Sequence, residues 1–183
     1  EFAALQAGQQ AAETDVRRDM QHDRTVNAAF RDSYPLHFQL RTRKDEDLFP
    51  VLFIESDAQG ETLELAATNQ LGKVVELRTP AVKTATKDNY HLQLRFRNKV
   101  LSEYFINNQL KASLAALGDQ WTSAHEYDTT AREYVLSLLY NNTSPLSIAA
   151  GEQLLLQIPK VNAEAKGGAR NTRVEIRFDN VYA

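Results

Sequence analysis

Apolar and polar residues alternate in short runs along most of the chain after residue 34, and this alternation limits the possible folds more than any other feature. A period of two is typical of a β-strand that has one face on a core and the other in water. The clearest runs are 36–41, 90–97 and 173–179. About nine runs recur between turn-forming residues, which predicts a mainly β fold: an antiparallel β-sandwich or jelly-roll-like barrel of short strands.

The alternation also predicts which residues form the core. On the three clearest runs, the apolar members should be mostly buried, because the polar members between them point to the opposite face. The predicted core residues are Leu36, Phe38, Leu40, Leu92, Leu94, Phe96, Val174, Ile176 and Phe178. No strand–helix–strand rhythm occurs, so a Rossmann-like sheet and a TIM barrel are both excluded.

The first 31 residues have a different composition, rich in Ala, Gln, Glu and Arg, with a thin apolar stripe at Leu5, Ala12, Val16 and Met20. These residues favour a helix. We therefore expect a helical or partly ordered leader or linker at 1–31 and one β-sandwich domain at 32–183; a frayed polar tail is the alternative for the leader. Its apolar stripe favours a role in association.

One interior segment has helical rather than alternating spacing. The pattern predicts a short helix over about 109–117, with Gly118 where a C-cap would stand. The residues before Asn107 fit either a helix or a strand. At most one short interior helix is therefore expected.

Composition and motifs exclude several classes of protein. The 183 residues include no cysteine, which removes disulfides, thiolate metal sites and cysteine nucleophiles. A net charge of −3 argues against a nucleic-acid partner, and no apolar run approaches the roughly 20 residues of a membrane-spanning helix. There is no HExxH, no GxSxG and no phosphate-binding loop. We predict no catalytic residues, no metal and no cofactor.

Two similar segments predict a polar surface. Residues 36–41 (LHFQLR) and 90–95 (YHLQLR) share His, Gln, Leu and Arg in register. If the two strands are neighbours in one sheet, their polar side chains form one basic face. The candidate binding residues are His37, Gln39, Arg41, His91, Gln93, Arg95 and Arg97. Such a face could bind a sugar, a carboxylate or an acidic partner. The alternative is the solvated side of an antiparallel sheet.

Two aromatic residues, Trp121 and Tyr127, are the best candidates for an exposed platform, because the apolar face of a sugar stacks on a ring. The alternative is that both rings belong to the core. Between them, His125 and Glu126 look like a base or a metal ligand beside a carboxylate. Neighbouring residues on a strand point to opposite faces, however, so we expect no cooperation between them.

The acidic turn at 45–47 invites a calcium hypothesis, but it lacks the DxDxDG pattern and follows Arg43 and Lys44. A charged hairpin that keeps a sheet edge soluble is the favoured interpretation.

The sequence thus favours a non-catalytic structural or protein-interaction module of a larger assembly or surface protein. It would act through a protein partner or self-association. Asn-rich turns between short strands also occur in phage fibre, adhesin and carbohydrate-binding domains, which slightly favours an extracellular, cell-surface or virion-like setting. A carbohydrate-binding module is the alternative function. A hydrolase with an unrecognised carboxylate pair is a third.

Overall fold

A computed structural model of the chain describes residues 34–42, 60–164 and 172–183. The predictions for the leader at 1–31 and the acidic turn at 45–47 lie outside the described residues. Within them, the chain is mainly β, and all paired strands are antiparallel, as the alternation predicted.

The described residues form ten strands in three sheets. The strands are β1 (Leu36–Thr42), β2 (Glu61–Asn69), β3 (Val75–Leu77), β4 (Leu92–Arg97), β5 (Trp121–Asp128), β6 (Glu133–Tyr140), β7 (Leu146–Ile148), β8 (Gln153–Val161), β9 (Val174–Phe178) and β10 (Val181–Tyr182). The strand orders are β1-β2-β8, β10-β3-β7 and β5-β6-β4-β9. The four-stranded sheet carries most of the candidate binding residues.

The interior helical segment is confirmed, with an irregular start. A π-helical turn at Phe105–Gln109 leads into helix α1 (Leu110–Ala115). Phe105, Leu110 and Leu114 are all buried. The extra residue of the π turn matches the spacing of five between Phe105 and Leu110, so both side chains reach the same core. The segment that could have been a strand is therefore helical. The chain leaves at Gly118 with φ of 103°, in the left-handed region that favours glycine.

Side chains from the β1-β2-β8 sheet, from the four-stranded sheet and from α1 form the main core. Leu63 and Leu65 of β2 meet Leu94 of β4 and Leu136 of β6 in one buried cluster, which Leu110 of α1 joins. A second cluster lies around the three-stranded sheet of β3, β7 and β10. In the part of the chain that the structure describes, no helix has the length and apolarity needed to cross a bilayer.

The predicted register of the three clearest strands is confirmed. Leu36, Leu92, Leu94 and Phe96 are at most 3% exposed. The other five predicted core residues are partly buried against the main cluster: Phe38, Leu40, Val174, Ile176 and Phe178. Their lower burial follows from position, since β1 and β9 end the orders of their sheets whereas β4 is interior. Alternation thus predicted the buried face correctly.

Candidate functional site

The single polar face predicted from the two similar segments does not exist, because their strands lie in different sheets. β1 is the end strand of the β1-β2-β8 sheet and pairs with β2. β4 lies inside the four-stranded sheet, between β6 and β9. His37, Gln39 and Arg41 are therefore not neighbours of the residues on β4. Alternation predicts the face to which a side chain points, but pairing partners depend on contacts distant in sequence.

On β1, the polar residues make contacts within their own sheet. His37 is exposed and Gln39 is half-buried. Arg41 Nε donates to Glu64 Oε1 at 2.5 Å, and Gln157 Nε2 donates to the other oxygen of the same carboxylate at 2.8 Å. The Arg41 guanidinium is thus paired within its own sheet.

On β4, Gln93 and Arg95 are buried in a hydrogen-bonded network rather than exposed in a basic face. Arg95 Nε donates to Gln93 Oε1 at 2.8 Å, and Arg95 Nη1 donates to Asp128 Oδ2 at 3.0 Å and to Glu133 Oε1 at 3.2 Å. Gln93 Nε2 donates in turn to Ser137 Oγ at 2.9 Å. We call these five residues the Arg95 network. A buried, satisfied network of this kind stabilises a fold, because its groups are already paired.

A loop covers the network, which explains why the expected exposure is wrong. The Lys87 carbonyl accepts a second hydrogen bond from Gln93 Nε2 at 2.9 Å, and Ala85 of the same loop is 5% exposed. The loop between β3 and β4 thus lies over this face of the four-stranded sheet. Beyond it, Arg97 is exposed. A period of two does not distinguish a face covered by a polar loop from a face covered by water.

His91 is buried as well, so its predicted place on an outward face is also wrong. The Tyr140 backbone N–H donates to His91 Nδ1 at 2.9 Å, which makes Nδ1 the unprotonated nitrogen. The protonated Nε2 donates to the Arg78 carbonyl at 2.8 Å. Burial lowers the pKa of His91. The side chain connects β6 to the segment that follows β3, which is a structural role.

Trp121 and Tyr127 lie on the same face of β5 but do not form one platform. Six residues along a strand correspond to roughly 20 Å, which is longer than a single sugar ring. The Trp121 ring packs edge-to-face on Tyr140, with centroids 5.4 Å apart, and is half-buried against the core. Only Tyr127, at 40%, keeps a large exposed fraction. The prediction of an exposed Trp121 platform is wrong, because its ring takes part in the core.

Between these aromatic residues, His125 faces the ring of Tyr134. His125 Nδ1 lies 2.6 Å from the Tyr134 hydroxyl, and the two rings are stacked with centroids 5.9 Å apart. Burial lowers the pKa of His125 and raises the pKa of Tyr134. Glu126 is the next residue of the strand and points to the opposite face, as predicted. His125 is therefore oriented by a phenol rather than by a carboxylate.

Along one side of β5, the backbone has hydrogen-bonding groups that no described residue pairs. β5 ends the strand order of its sheet, with β6 as its neighbour. The Asn141 N–H donates to the Gln120 carbonyl at 2.7 Å, so Gln120 and Asn141 form a hydrogen-bonded pair. The register of β5 and β6 continues from this pair without a shift, and it places Ala124 opposite Ser137. Because bonded and non-bonded pairs alternate in an antiparallel ladder, the even-numbered residues of β5 bond to β6. The N–H and C=O groups of Ser123, His125 and Tyr127 consequently point away from the sheet.

No described residue hydrogen-bonds to those outward groups of Ser123, His125 and Tyr127. The sequence of β5, WTSAHEYD, has no proline or lysine, and its pairing with β6 has no bulge. Proteins commonly use lysine, proline and bulges to prevent an edge strand from pairing with another chain. We call the outward side of residues 121–127 the β5 edge.

Among the described residues, the other end strands of the β1-β2-β8 sheet and of the four-stranded sheet are shorter or interrupted, and β1, with seven residues, is the nearest to β5 in length. β8 contains Pro159 and has Lys160 at φ of 60°, in the left-handed region. β9 has five residues against the eight of β5. The β5 edge was not predicted from the sequence, because nothing in the local pattern states that a strand is outermost. The missing proline and lysine were the available signal.

An open pocket of about 410 Å³ lies at the other end of the same sheet, lined by Tyr34, Tyr90, Ile176, Arg177 and Phe178. The Arg177 guanidinium in this pocket is paired, because its Nε donates to Glu175 Oε1 at 2.6 Å. Burial raises the pKa of Tyr90. The other walls are aromatic and aliphatic, and Tyr34 and Tyr90 are the remaining side chains of the lining that carry a polar group.

Among the residues that the structure describes, no group of three or more His, Asp or Glu side chains could hold a metal ion. No protein-family model, no curated protein and no solved structure matches this chain. The β5 edge, with the aromatic residues beside it, is thus the arrangement with the clearest binding chemistry.

Proposed function

We propose that this chain is a non-catalytic protein-interaction module, a β-sandwich domain of a larger assembly, which binds an extended segment of a partner protein along the β5 edge. The observation that carries the proposal is the row of outward N–H and C=O groups at Ser123, His125 and Tyr127, to which no described residue bonds. An extended peptide that adds a strand satisfies these groups with main-chain hydrogen bonds.

The side chains beside the edge would supply selectivity. Trp121, His125 and Tyr127 point to one face of β5, so they would contact alternate side chains of an added strand. Tyr127 is exposed and His125 is half-buried, so contact with both requires little rearrangement.

Panning a random extended-peptide library on the full chain tests this proposal. The informative variant is Ser123→Pro, which removes an outward N–H while leaving the bonds to β6 in place. Proline is tolerated on an edge strand when its missing N–H faces away from the sheet. Peptides enriched on the wild type should fail to bind Ser123→Pro. Enrichment that is the same on both proteins would overturn the proposal.

Two controls separate binding from folding. Ser123→Ala keeps the backbone N–H and should bind the selected peptides as the wild type does. Ala124→Pro removes an N–H that bonds to β6 and leaves a carbonyl of β6 without its donor, so it should lower the free energy of unfolding by about 1–3 kcal/mol. Ser123→Pro should change that free energy much less in a urea titration. A similar loss in both proline variants would show that the assigned direction of these N–H groups is wrong.

Carbohydrate binding is the second candidate, and the exposed Tyr127 ring favours it. Sugar stacking would depend on the ring rather than on the backbone. A glycan array should then show binding that Tyr127→Ala abolishes and Ser123→Pro keeps. The reverse dependence would contradict this alternative.

A further inference from the structure

We propose that the occupant of the β5 edge is a second copy of this chain, whose β5 pairs antiparallel with the first about a two-fold axis at Ala124. This inference rests on the proposed function, because it uses the same edge. It adds the identity of the partner and the register. Two four-stranded sheets would thereby join into one eight-stranded sheet.

The direction of the backbone groups limits the possible registers. Outward groups belong to the odd-numbered residues of β5, so an odd residue of one copy must face an odd residue of the other. In a symmetric antiparallel pair, this places the two-fold axis at a residue and not between two residues. Centres at Ala124 and His125 each overlap all but one residue of β5, whereas centres at Ser123 and Glu126 each leave out three of its eight residues.

Overlap, charge and existing hydrogen bonds select among these centres. A centre at Glu126 places the two Glu126 carboxylates opposite each other, which is unfavourable. A centre at His125 overlaps residues 122–128, but it places Trp121 opposite Thr129, beyond the end of β5. It also places Asp128, which already accepts from Arg95 and from the turn that follows, opposite Thr122. A centre at Ala124 overlaps residues 121–127 and leaves out Asp128; the Trp121 N–H keeps its bond to the Gly118 carbonyl at 3.2 Å, so at that pair only the Tyr127 N–H donates across.

The Ala124 register also matches side chains of compatible chemistry. Trp121 would lie opposite Tyr127 of the second copy, and aromatic cross-strand pairs are favourable. Ser123 would face His125, and Thr122 would face Glu126. The imidazole and the carboxylate would thus each lie opposite a hydroxyl group. No two like charges oppose each other. β5 is thus complementary to itself in one of the registers that its outward groups permit.

Sedimentation velocity over a range of concentrations tests whether the full chain self-associates through this edge. The wild type and Ser123→Ala should shift from 20.7 kDa towards twice that mass as concentration rises. Ser123→Pro should stay monomeric. A wild type that stays monomeric at all concentrations, or a dimer that Ser123→Pro does not weaken, would overturn the inference.

Disulfide trapping tests the register, since the chain contains no cysteine of its own. At the predicted centre, the two Ala124 residues form a non-bonded pair with Cα atoms about 4.5 Å apart, within the range for a disulfide. Ala124→Cys should therefore cross-link on mild oxidation. Thr122→Cys alone should not, because its two copies would be about 13 Å apart. A mixture of Thr122→Cys and Glu126→Cys should cross-link as a heterodimer.

The outcomes distinguish this inference from the proposed function. A monomeric chain that still selects peptides in a Ser123-dependent manner overturns self-pairing and leaves the interaction module standing. Cross-linking of Thr122→Cys alone, without cross-linking of Ala124→Cys, overturns the register. A chain that neither dimerises nor selects peptides overturns both.

Discussion

Replacing Arg95 by methionine should destabilise the protein strongly, although the sequence pattern placed this residue on a solvated face where its loss would be mild. The Arg95 side chain is 5% exposed. It donates hydrogen bonds to Gln93, Asp128 and Glu133 at 2.8, 3.0 and 3.2 Å. Methionine fills much of the same volume but donates to none of the three.

The expected loss follows from what the substitution leaves behind. Removing one partner of a buried ion pair costs about 3–5 kcal/mol, because the remaining charge is buried without compensation. Asp128 and Glu133 keep 15% and 18% of their side-chain surface exposed, so water partly replaces the guanidinium. We therefore expect the lower end, about 3 kcal/mol. For a domain of this size, that corresponds to a fall in melting temperature of roughly 6–12 °C.

Urea and thermal unfolding of Arg95→Met and Arg97→Met provide the measurement. Arg97 lies two residues further along the same face and is exposed, so Arg97→Met should change the free energy of unfolding by less than about 0.5 kcal/mol. Near-equal, small losses in the two variants would refute the reasoning. They would mean that the network contributes no stability and that Arg95 is available to a ligand.

Three further predictions concern the core, the buried histidine and the glycine that precedes β2. Phe96→Ala should cost about 3–5 kcal/mol in urea titrations, because the ring is 1% exposed. Burial lowers the pKa of His91, so on acidification the unfolded chain binds a proton at this residue before the folded chain does. The free energy of unfolding should therefore decrease as the pH falls below about 6.5, and it should decrease less steeply in His91→Gln. Gly60→Ala should lower the melting temperature, because φ is 65° and a Cβ would lie 2.6 Å from the Lys160 backbone.

The sequence predicted which face of each clear strand is buried, because that depends only on alternation along the strand itself. Leu92, Leu94 and Phe96 are fully buried for this reason. It did not predict which strands are neighbours. Residues 36–41 and 90–95 are nearly the same locally, yet one ends a sheet and the other lies inside another sheet. Neighbours are chosen by packing between distant segments, which a local pattern does not contain.

The candidate site was less predictable than the fold. Alternation correctly set Gln93 and Arg95 opposite the main core, but the covering loop is a tertiary feature. Trp121 and Tyr127 lie on the strand whose edge we propose as a binding site, yet the groups that carry this proposal are backbone atoms that every residue has. Their availability depends on β5 being outermost, and sheet order was the part of the fold that the sequence did not specify.

The Arg95 network and the β5 edge are connected through the end of one strand. Arg95 reaches from β4 past β6 to Asp128, the last residue of β5, and so holds that end against the sheet. A strand held straight is a better template, because a partner need not order it first. In Arg95→Met, amide hydrogen exchange should therefore accelerate more at Glu126, near the released end, than at Ala124. Both amides bond to β6 by the ladder alternation, so they are matched probes. Equal acceleration at the two positions would indicate global destabilisation instead. It would show that the Arg95 network does not order the end of β5 specifically.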